Sequence, residues 1–455
     1  MKRYIKLAVV LLSSVYMAGC SDFLDVDVPD DQLDEGKVFE DDRMAASAMV
    51  GVYTKLRSAG FFAGTVSGIG VQLGCYTDEL EVTTAQTVEY RFFYENALTS
   101  SNTGVKSLWD NSYQQIFAVN SIVENIGSSQ KLTEGVRNQL LGEALAIRAL
   151  LHFYLCQTYG SVPYVTSTDY NINRMIKKQP VHEVMQLAID DLKEAEQLLS
   201  PVYPSTERVR FNQTAVQALL ARMYLYTESW VLAKQYAQTV ISSAGYALET
   251  PDKTFLKESK SAILQLKPGF DGGNTSEAAA YTFNTAPAPN LRLSNHLLEA
   301  FEEADNRRTH YVRFVGQDMA NAHAFKYKTV GNTAVSAEYS ILLRLEEQYL
   351  IAAEAAAELG EWDKCNVMLN ALRFRAGLEE ITVSTKETAL NAVLKERRVE
   401  LFCEFGHRFY DLKRRNHLSD LSIVKTNWQP HFSVLPLPES ELLLNPNLLP
   451  QNNGY

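Results

Sequence analysis

The chain has 455 residues, enough for one large core or for two to three modest domains. Its formal charge of −11 and the absence of a long basic run argue against nucleic acid and anionic lipid surfaces as partners. Five cysteines, at positions 20, 75, 156, 365 and 403, contain no CxxC pair, which argues against a disulfide framework or a zinc site.

Residues 1–19 have the three parts of a secretory leader: a basic start (Lys2, Arg3, Lys6), an apolar run from Leu7 to Val15, and small residues before Cys20. The apolar run is well short of the roughly 20 residues needed to span a bilayer. Met17-Ala18-Gly19-Cys20 has the bacterial lipobox arrangement, so Cys20 is expected to be lipidated after cleavage. Ser21 follows instead of an aspartate, which favours the outer membrane over inner-membrane retention. Acidic residues and Pro29 make 20–36 a tether.

Helical periodicity starts at Asp41–Ala59, with Met44, Ala48, Val52 and Leu56 on a four-residue stripe. Gly60–Asn102 is irregular and joins Gly-rich sequence to the aromatic cluster Tyr90, Phe92, Phe93 and Tyr94. Leu108–Ile126 is a helix with Trp109, Tyr113, Ile116, Phe117, Asn120 and Val123 on one face. Thr133 opens a helix running to Tyr159, and Pro180 precedes another over Val181–Leu199. Two later segments align at an offset of 132 residues, Ala221–Trp230 on Ala353–Trp362. Each is a helix, a turn ending in Trp and a second helix (Val231–Ser243, Asp363–Ala376), the pattern of tetratricopeptide-like pairs separated by insertions. Between Thr250 and Ser336, Pro and Gly break the periodicity, and Ala262–Leu266 and Ala280–Phe283 read as short strands. Long loops on a helical scaffold usually carry function, so the two irregular stretches are the candidate binding surface.

No motif in the chain demands catalysis. Glu404-Phe-Gly-His407 matches half of a di-iron ligand set, but no second copy exists and Gly406 interrupts it. Gly68-Ile-Gly70-Val-Gln-Leu-Gly74 misses the dinucleotide fingerprint by one residue. His152 and Cys156 share a helical face and read as core residues. The run Leu394–Leu412 alternates glutamates (Glu396, Glu400, Glu404) with Arg397, Arg398 and Arg408, with Gly406 expected to end the helix and Asp411 to cap or bridge the next segment. Glycosidases use paired carboxylates, but a neighbouring arginine lowers a carboxyl pKa and spoils a proton donor. A structural ion-pair network is the expectation.

The chain resembles the SusD/RagB family of outer-membrane nutrient-binding lipoproteins of Bacteroidetes. The likeness is carried by Cys20-Ser-Asp-Phe-Leu-Asp25, Ala144–Tyr154 with Tyr159–Pro163, Glu396-Arg-Arg-Val-Glu-Leu…Gly406-His-Arg-Phe-Tyr-Asp-Leu412, and Leu435–Leu442 through Gln451-Asn-Asn-Gly-Tyr455. It implies a mainly α fold of about four tetratricopeptide-like helix pairs with long insertions and a few short strands. It also implies a SusC-like TonB-dependent transporter as partner, over which the lipoprotein sits as a lid, and an oligosaccharide or peptide ligand bound without chemistry. The body then divides into 37–249 and 250–455, the latter holding a central insertion (250–336) and the last helix pair with the signature (337–455), in one compact unit. No cofactor or metal is expected, and the membrane is met through the lipid anchor alone. Glycan-binding members place aromatics in the loop after the first helix and in the central insertion. Here Thr77-Asp78-Glu79 resembles the landmark of that loop, but no aromatic follows at once, and all four tryptophans (109, 230, 362, 428) fall in scaffold helices or the C-terminal run. The ligand-contact candidates are therefore Tyr76, Glu81, Tyr90, Phe92, Tyr94, Tyr281, Phe283 and Asn284. A peptide ligand, a surface hydrolase and a purely structural lid stay open as alternatives.

Overall fold

The computed structural model describes residues 38–316 and 318–455, so Cys20 and the acidic tether lie outside the described residues. Among the described residues, the helices of eight or more residues are, in order, α1 (Asp42–Ser58), α2 (Ile69–Tyr76), α3 (Thr103–Ser128), α4 (Glu134–Tyr159), α5 (Val181–Leu198), α6 (Gln213–Tyr226), α7 (Trp230–Ser242), α8 (Leu345–Glu358), α9 (Trp362–Arg375), α10 (Lys386–Leu401) and α11 (His407–Arg414). The strands are β1 (Leu80–Val82), β2 (Ala262–Leu266), β3 (Leu291–Leu293), β4 (Val312–Phe314), β5 (Ala322–Ala324) and β6 (Ser340–Arg344). They form three two-stranded antiparallel sheets, β1–β3, β2–β6 and β4–β5.

The helices stack in sequence: α1 on α3, α3 on α4, α4 on α5, α5 on α6, α6 on α7, α7 on α8, and α8 on both α9 and α10. This is the expected scaffold of tetratricopeptide-like pairs. Small residues let the axes approach: Ala215, Ala218 and Ala221 of α6 and Ala352, Ala353, Ala355 and Ala356 of α8 are all buried. Helix α4 is the centre of the stack, with Leu140, Ala144, Ile147, Leu151 and Tyr154 buried as its sequence stripe predicts. It is long and apolar enough to cross a membrane, but most of its apolar window is buried by its neighbours.

Capping sets the ends. The Asp41 carboxylate accepts from the Arg43 and Met44 N–H groups (2.9 Å each), and Asn102 accepts from Val105 N–H (3.0 Å) at the start of α3. Sequence stripes fared less well than ends. Met44 is exposed, Ala48 is only half-buried, and α1 buries Ala45, Met49, Val52, Tyr53 and Leu56. A spacing of four drifts by roughly 40° per step on a 3.6-residue helix, so the four-spaced stripe cannot stay on one face. Phe117, placed beside Ile116 on the inner face of α3, likewise points to solvent.

The insertions hold more structure than the irregular sequence suggests. Gly60–Asn102 contains α2 and a short helix, Glu89–Tyr94. Ala280–Phe283 is not a strand: Ser276–Tyr281 is helical, begun by Thr275, whose hydroxyl accepts from Glu277 N–H. Ala262–Leu266 is a strand as expected. The four described cysteines are free and buried.

Candidate ligand-binding rim

Two features build the candidate site: a buried ion-pair junction, and a cleft that the junction positions. The junction is the C-terminal signature run. Helix α10 ends at Leu401, not at Gly406. A tight turn follows with Cys403, Phe405 and Gly406 at positive φ, and Gly406 (φ 76°) stands at the N-cap of α11. A Cβ on Gly406 would come within 2.6 Å of Leu73 Cδ1, so the positive φ and the close approach both favour glycine here. The last carbonyls of α10 are satisfied by cations: Lys326 Nζ donates to Glu400 O (2.7 Å) and Phe402 O (2.8 Å), and Arg344 Nη2 to Glu400 O (2.8 Å).

Each carboxylate of the run is engaged. Glu400 accepts from Arg344 (2.6 Å), Arg375 (2.5 Å) and Arg307 (3.0 Å). Burial alone would raise its carboxyl, but those three arginines hold it well below the usual carboxylate range. Glu396 pairs with Arg307 (2.5 Å), Glu404 with Arg344 (2.8 Å) and Lys326, and Asp411 with Arg397 (2.6 Å) and Arg414 (2.8 Å). Asp411 therefore bridges α10 and α11 from within α11. His407 is buried, and burial followed by the charges of Arg222 and Arg397 pushes its imidazole well below its ordinary value. Burial also takes His152 down to about 3, keeping it neutral in the core, where its Nε2 accepts from Val165 N–H (3.0 Å). Among the described residues no group of His, Cys, Asp and Glu is arranged to hold a metal ion.

The same junction reaches the first insertion. Arg398 and Arg408 pair with Asp78 (2.8 Å each), far away in sequence, and not with the glutamates of their own run. Burial opposes ionisation of Asp78, but hydrogen bonds from His296 and Arg408, with the charges of Arg408 and Arg398, hold its carboxyl well below the usual range. Next to it, Glu79 accepts from Cys403 N–H (3.2 Å), and burial with the Asp78 charge pushes its carboxyl up to about 7. Thr77-Asp78-Glu79 is thus a clamp, and the backbone leaving it is aimed by that clamp.

That backbone is β1, which pairs with β3 of the central insertion in the register Leu80↔Leu293, Glu81↔Arg292, Val82↔Leu291. Glu81 and Arg292 are also an ion pair (2.5 Å). Thr83 extends the zipper, its N–H donating to Asn290 O and its hydroxyl to Ala288 O (2.8 Å each). Beside the zipper is an open cleft of about 270 Å³, lined among others by Glu81, Tyr94, Asn295, His296, Val424 and Lys425. Lys425 Nζ lies 3.8 Å from the Tyr94 ring centroid and donates to Cys75 O and Tyr94 O (2.8 Å each), fixing the ring. Burial lowers its ammonium to about 8.

The two insertions singled out from sequence are thus joined, but the eight candidate residues are not one cluster. Glu81 and Tyr94 line the cleft. Tyr76 is fully buried among Phe93, Phe409, Trp428 and Phe432, its hydroxyl donating to Phe432 O (3.1 Å). Tyr90 is buried and Phe92 half-buried against the core. Tyr281 is buried and donates to Cys403 O (3.2 Å); Phe283 packs on His323 (4.7 Å between centroids); Asn284 is exposed. Sequence reasoning missed Asn295, His296, Val424 and Lys425, because their approach to β1 depends on long-range pairing that leaves no local signal. Grouping a fixed aromatic ring with carboxylate, amide and imidazole groups suits binding of a polar ligand with an apolar face.

Comparison with known proteins agrees with this architecture. A family model described as starch-binding associating with outer membrane matches residues 22–225, and the SusD family model matches residues 306–455. The chain belongs to the SusD family. SusD-like protein P38 of Formosa agariphila is 24% identical over 420 residues, covering 79% of this chain and 82% of the relative. A SusD superfamily protein from Bacteroides vulgatus superimposes with a TM-score of 0.81 at 20% identity, over 92% of this chain and all of that one. Surface glycan-binding protein A from Bacteroides thetaiotaomicron, solved in complex with laminarihexaose, gives 0.76 at 19% identity, over 90% and 99% of the two chains.

Proposed function

We propose that the protein is a lipid-anchored outer-membrane receptor that binds a glycan between its two insertions and delivers it to a SusC-like TonB-dependent transporter. The observation that carries the reading is the β1–β3 zipper: it makes one rim from two distant insertions and sets a fixed Tyr94 ring beside Glu81, Asn295 and His296. An aromatic face covers the C–H surface of a sugar while amide, carboxylate and imidazole groups meet its hydroxyls. Structural neighbours described as laminarin binding, and as bound to laminarihexaose, support a glycan ligand. Cys20 anchors the chain, and the acidic segment after it gives the body travel over the pore, where tethering keeps the effective concentration high. The role is capture without catalysis.

A peptide ligand is the second reading, favoured by one observation: none of the four tryptophans lines the cleft. Calorimetric titration against glycan and peptide panels separates the two. Glycan binding that weakens about tenfold in Tyr94→Ala, a loss of about 1.4 kcal/mol, is the expected result. Peptide binding with no glycan binding would replace the reading.

A further inference from the structure

The strongest unexplained surface lies away from the buried junction, in the connection between α4 and α5. There the chain runs Tyr170-Asn-Ile-Asn-Arg-Met-Ile-Lys-Lys178, with a one-turn helix at Tyr170–Asn173. Tyr170 is 74% exposed, Ile172 57% and Met175 61%, and Arg174 and Lys177 are exposed beside them. The backbone that carries these side chains is pinned. Asn171 N–H donates to Asp169 Oδ1 (2.7 Å), Asn173 Nδ2 to Ser167 O (2.7 Å), and Thr168 N–H to Glu124 Oε1 (2.9 Å). The C-terminal segment holds the loop from the other side, through Asn445 Nδ2 to Ile176 O (2.8 Å) and Asn447 Nδ2 to Met175 O (3.1 Å). The fold uses polar side chains to fix a loop whose apolar and basic side chains face solvent, in a chain of net charge −11.

We propose that this patch is a second membrane contact, seating on the phosphate-bearing headgroups of the leaflet that holds the lipid anchor; the proposal rests on the anchored reading of Cys20. Two independent observations carry it. The first is chemistry: Tyr, Ile and Met interleaved with Arg and Lys is the composition that settles at an anionic lipid interface, the apolar groups at the acyl boundary and the cations at phosphate. The second is position. Phe39, near the start of the described chain, is held by Ser129 Oγ donating to its carbonyl (2.6 Å), while Thr168 is held by Glu124. Glu124 and Ser129 are five residues apart at one end of α3, roughly 8 Å along its axis. The loop at Tyr170–Arg174, tied to Ser167 and Thr168, and the point where the tether enters the body therefore share one end of α3; the C-terminal leucines follow Glu441, which pairs with Lys106 at the other end of that helix, and stand outside this contact. Seating the tether end on the leaflet gives the body an orientation that a flexible tether alone cannot impose. The basic character sits within nine residues, which is why whole-chain charge conceals it. Only charges within about a Debye length of the leaflet, ~8 Å, count toward the contact.

The test uses the chain from Ser21 onward, without acyl group; the described core begins at Phe39 and is unaffected by the removal. Partition is measured into vesicles of phosphatidylcholine alone and of phosphatidylcholine with an equal part of phosphatidylglycerol. Each basic side chain near an anionic surface contributes about fivefold, so Arg174 and Lys177 predict a preference for the mixed vesicles on the order of thirtyfold. R174E with K177E should abolish that preference, and I172S with M175S should weaken binding to both vesicles, with thermal stability unchanged in each. Equal partition into the two vesicles, or partition indifferent to these substitutions, overturns the proposal. Self-association broken by I172S with no vesicle binding also overturns it, making the face a contact between copies. Failure of acylation at Cys20 in cells would instead refute the anchored reading and leave the vesicle result standing.

Discussion

Glu400 has no exposed surface and is met by three arginines from three different elements: Arg344 at the end of β6, Arg375 at the end of α9, and Arg307 in the helix Asn306–Tyr311. Removing the carboxylate leaves those guanidinium groups facing one another without their shared partner. Glu400→Ala should therefore cost about 3–5 kcal/mol, read as a fall in the urea midpoint. Unfolding at the wild-type midpoint would show that the junction contributes nothing. Glu277 makes the opposite case. It is buried and accepts from Ser340 and Thr275, and burial pushes its carboxyl up to about 7. A carboxyl raised on folding favours the protonated native state. The stability it contributes is complete below the unfolded value near 4.5, and is lost as pH rises through about 7. Asp78 has the reverse sign, contributing above its unfolded value and losing that contribution only in strong acid. Glu277→Gln should therefore flatten the stability profile between pH 5 and pH 8 and leave the variant about 3 kcal/mol more stable than wild type at pH 8. An unaltered profile would mean that Glu277 is not protonated in the native state at neutral pH.

Among the elements, those with caps and long apolar faces were legible in the sequence. Asp41, Thr133 and Pro180 mark helix starts that the structure keeps, whereas the helix expected from Leu108 begins five residues earlier, at Thr103 behind its Asn102 cap. The paired arrangement of α6 with α7 and α8 with α9 follows from small residues and turn tryptophans. Helix α2 was not legible. Ile69–Tyr76 is buried on nearly every side, so its residues are apolar without period, and its two internal glycines lower helix propensity. The Ala280–Phe283 alternation misled because a capped Ala-rich turn and a strand look alike over four residues. The ion-paired character of the signature run was legible in its alternating charges. Its partners could not be read, because Arg307, Lys326, Arg344 and Asp78 reach it across the fold. Gly406 is the element-scale test. Ala at φ 76° costs roughly 1–2 kcal/mol in backbone strain, and its Cβ would press on Leu73 of α2. Gly406→Ala should lower the midpoint by at least that amount and raise amide exchange in α2. A variant with wild-type exchange there would mean that the turn does not support the first insertion.

For the molecule as a whole, the stacked helices are the frame, the signature junction is the clamp, and the two insertions are what the clamp holds out. Asp78 and Glu79 tie the first insertion to α10, α11 and the turn between them, Lys326 and Arg344 tie the central region to the same turn, and the β1–β3 zipper then joins the insertions to each other. The candidate rim is thereby held by pairs distant in sequence and not by a loop's own residues, which is why a scaffold was readable and a ligand was not. Hydrogen–deuterium exchange with and without a saturating glycan tests the central claim most directly. Binding at the rim predicts slowed exchange over residues 77–94, 290–297 and 423–426, with the helices α5 to α7 unchanged. Protection confined to α5–α7, with the rim exchanging as in the free protein, would contradict it.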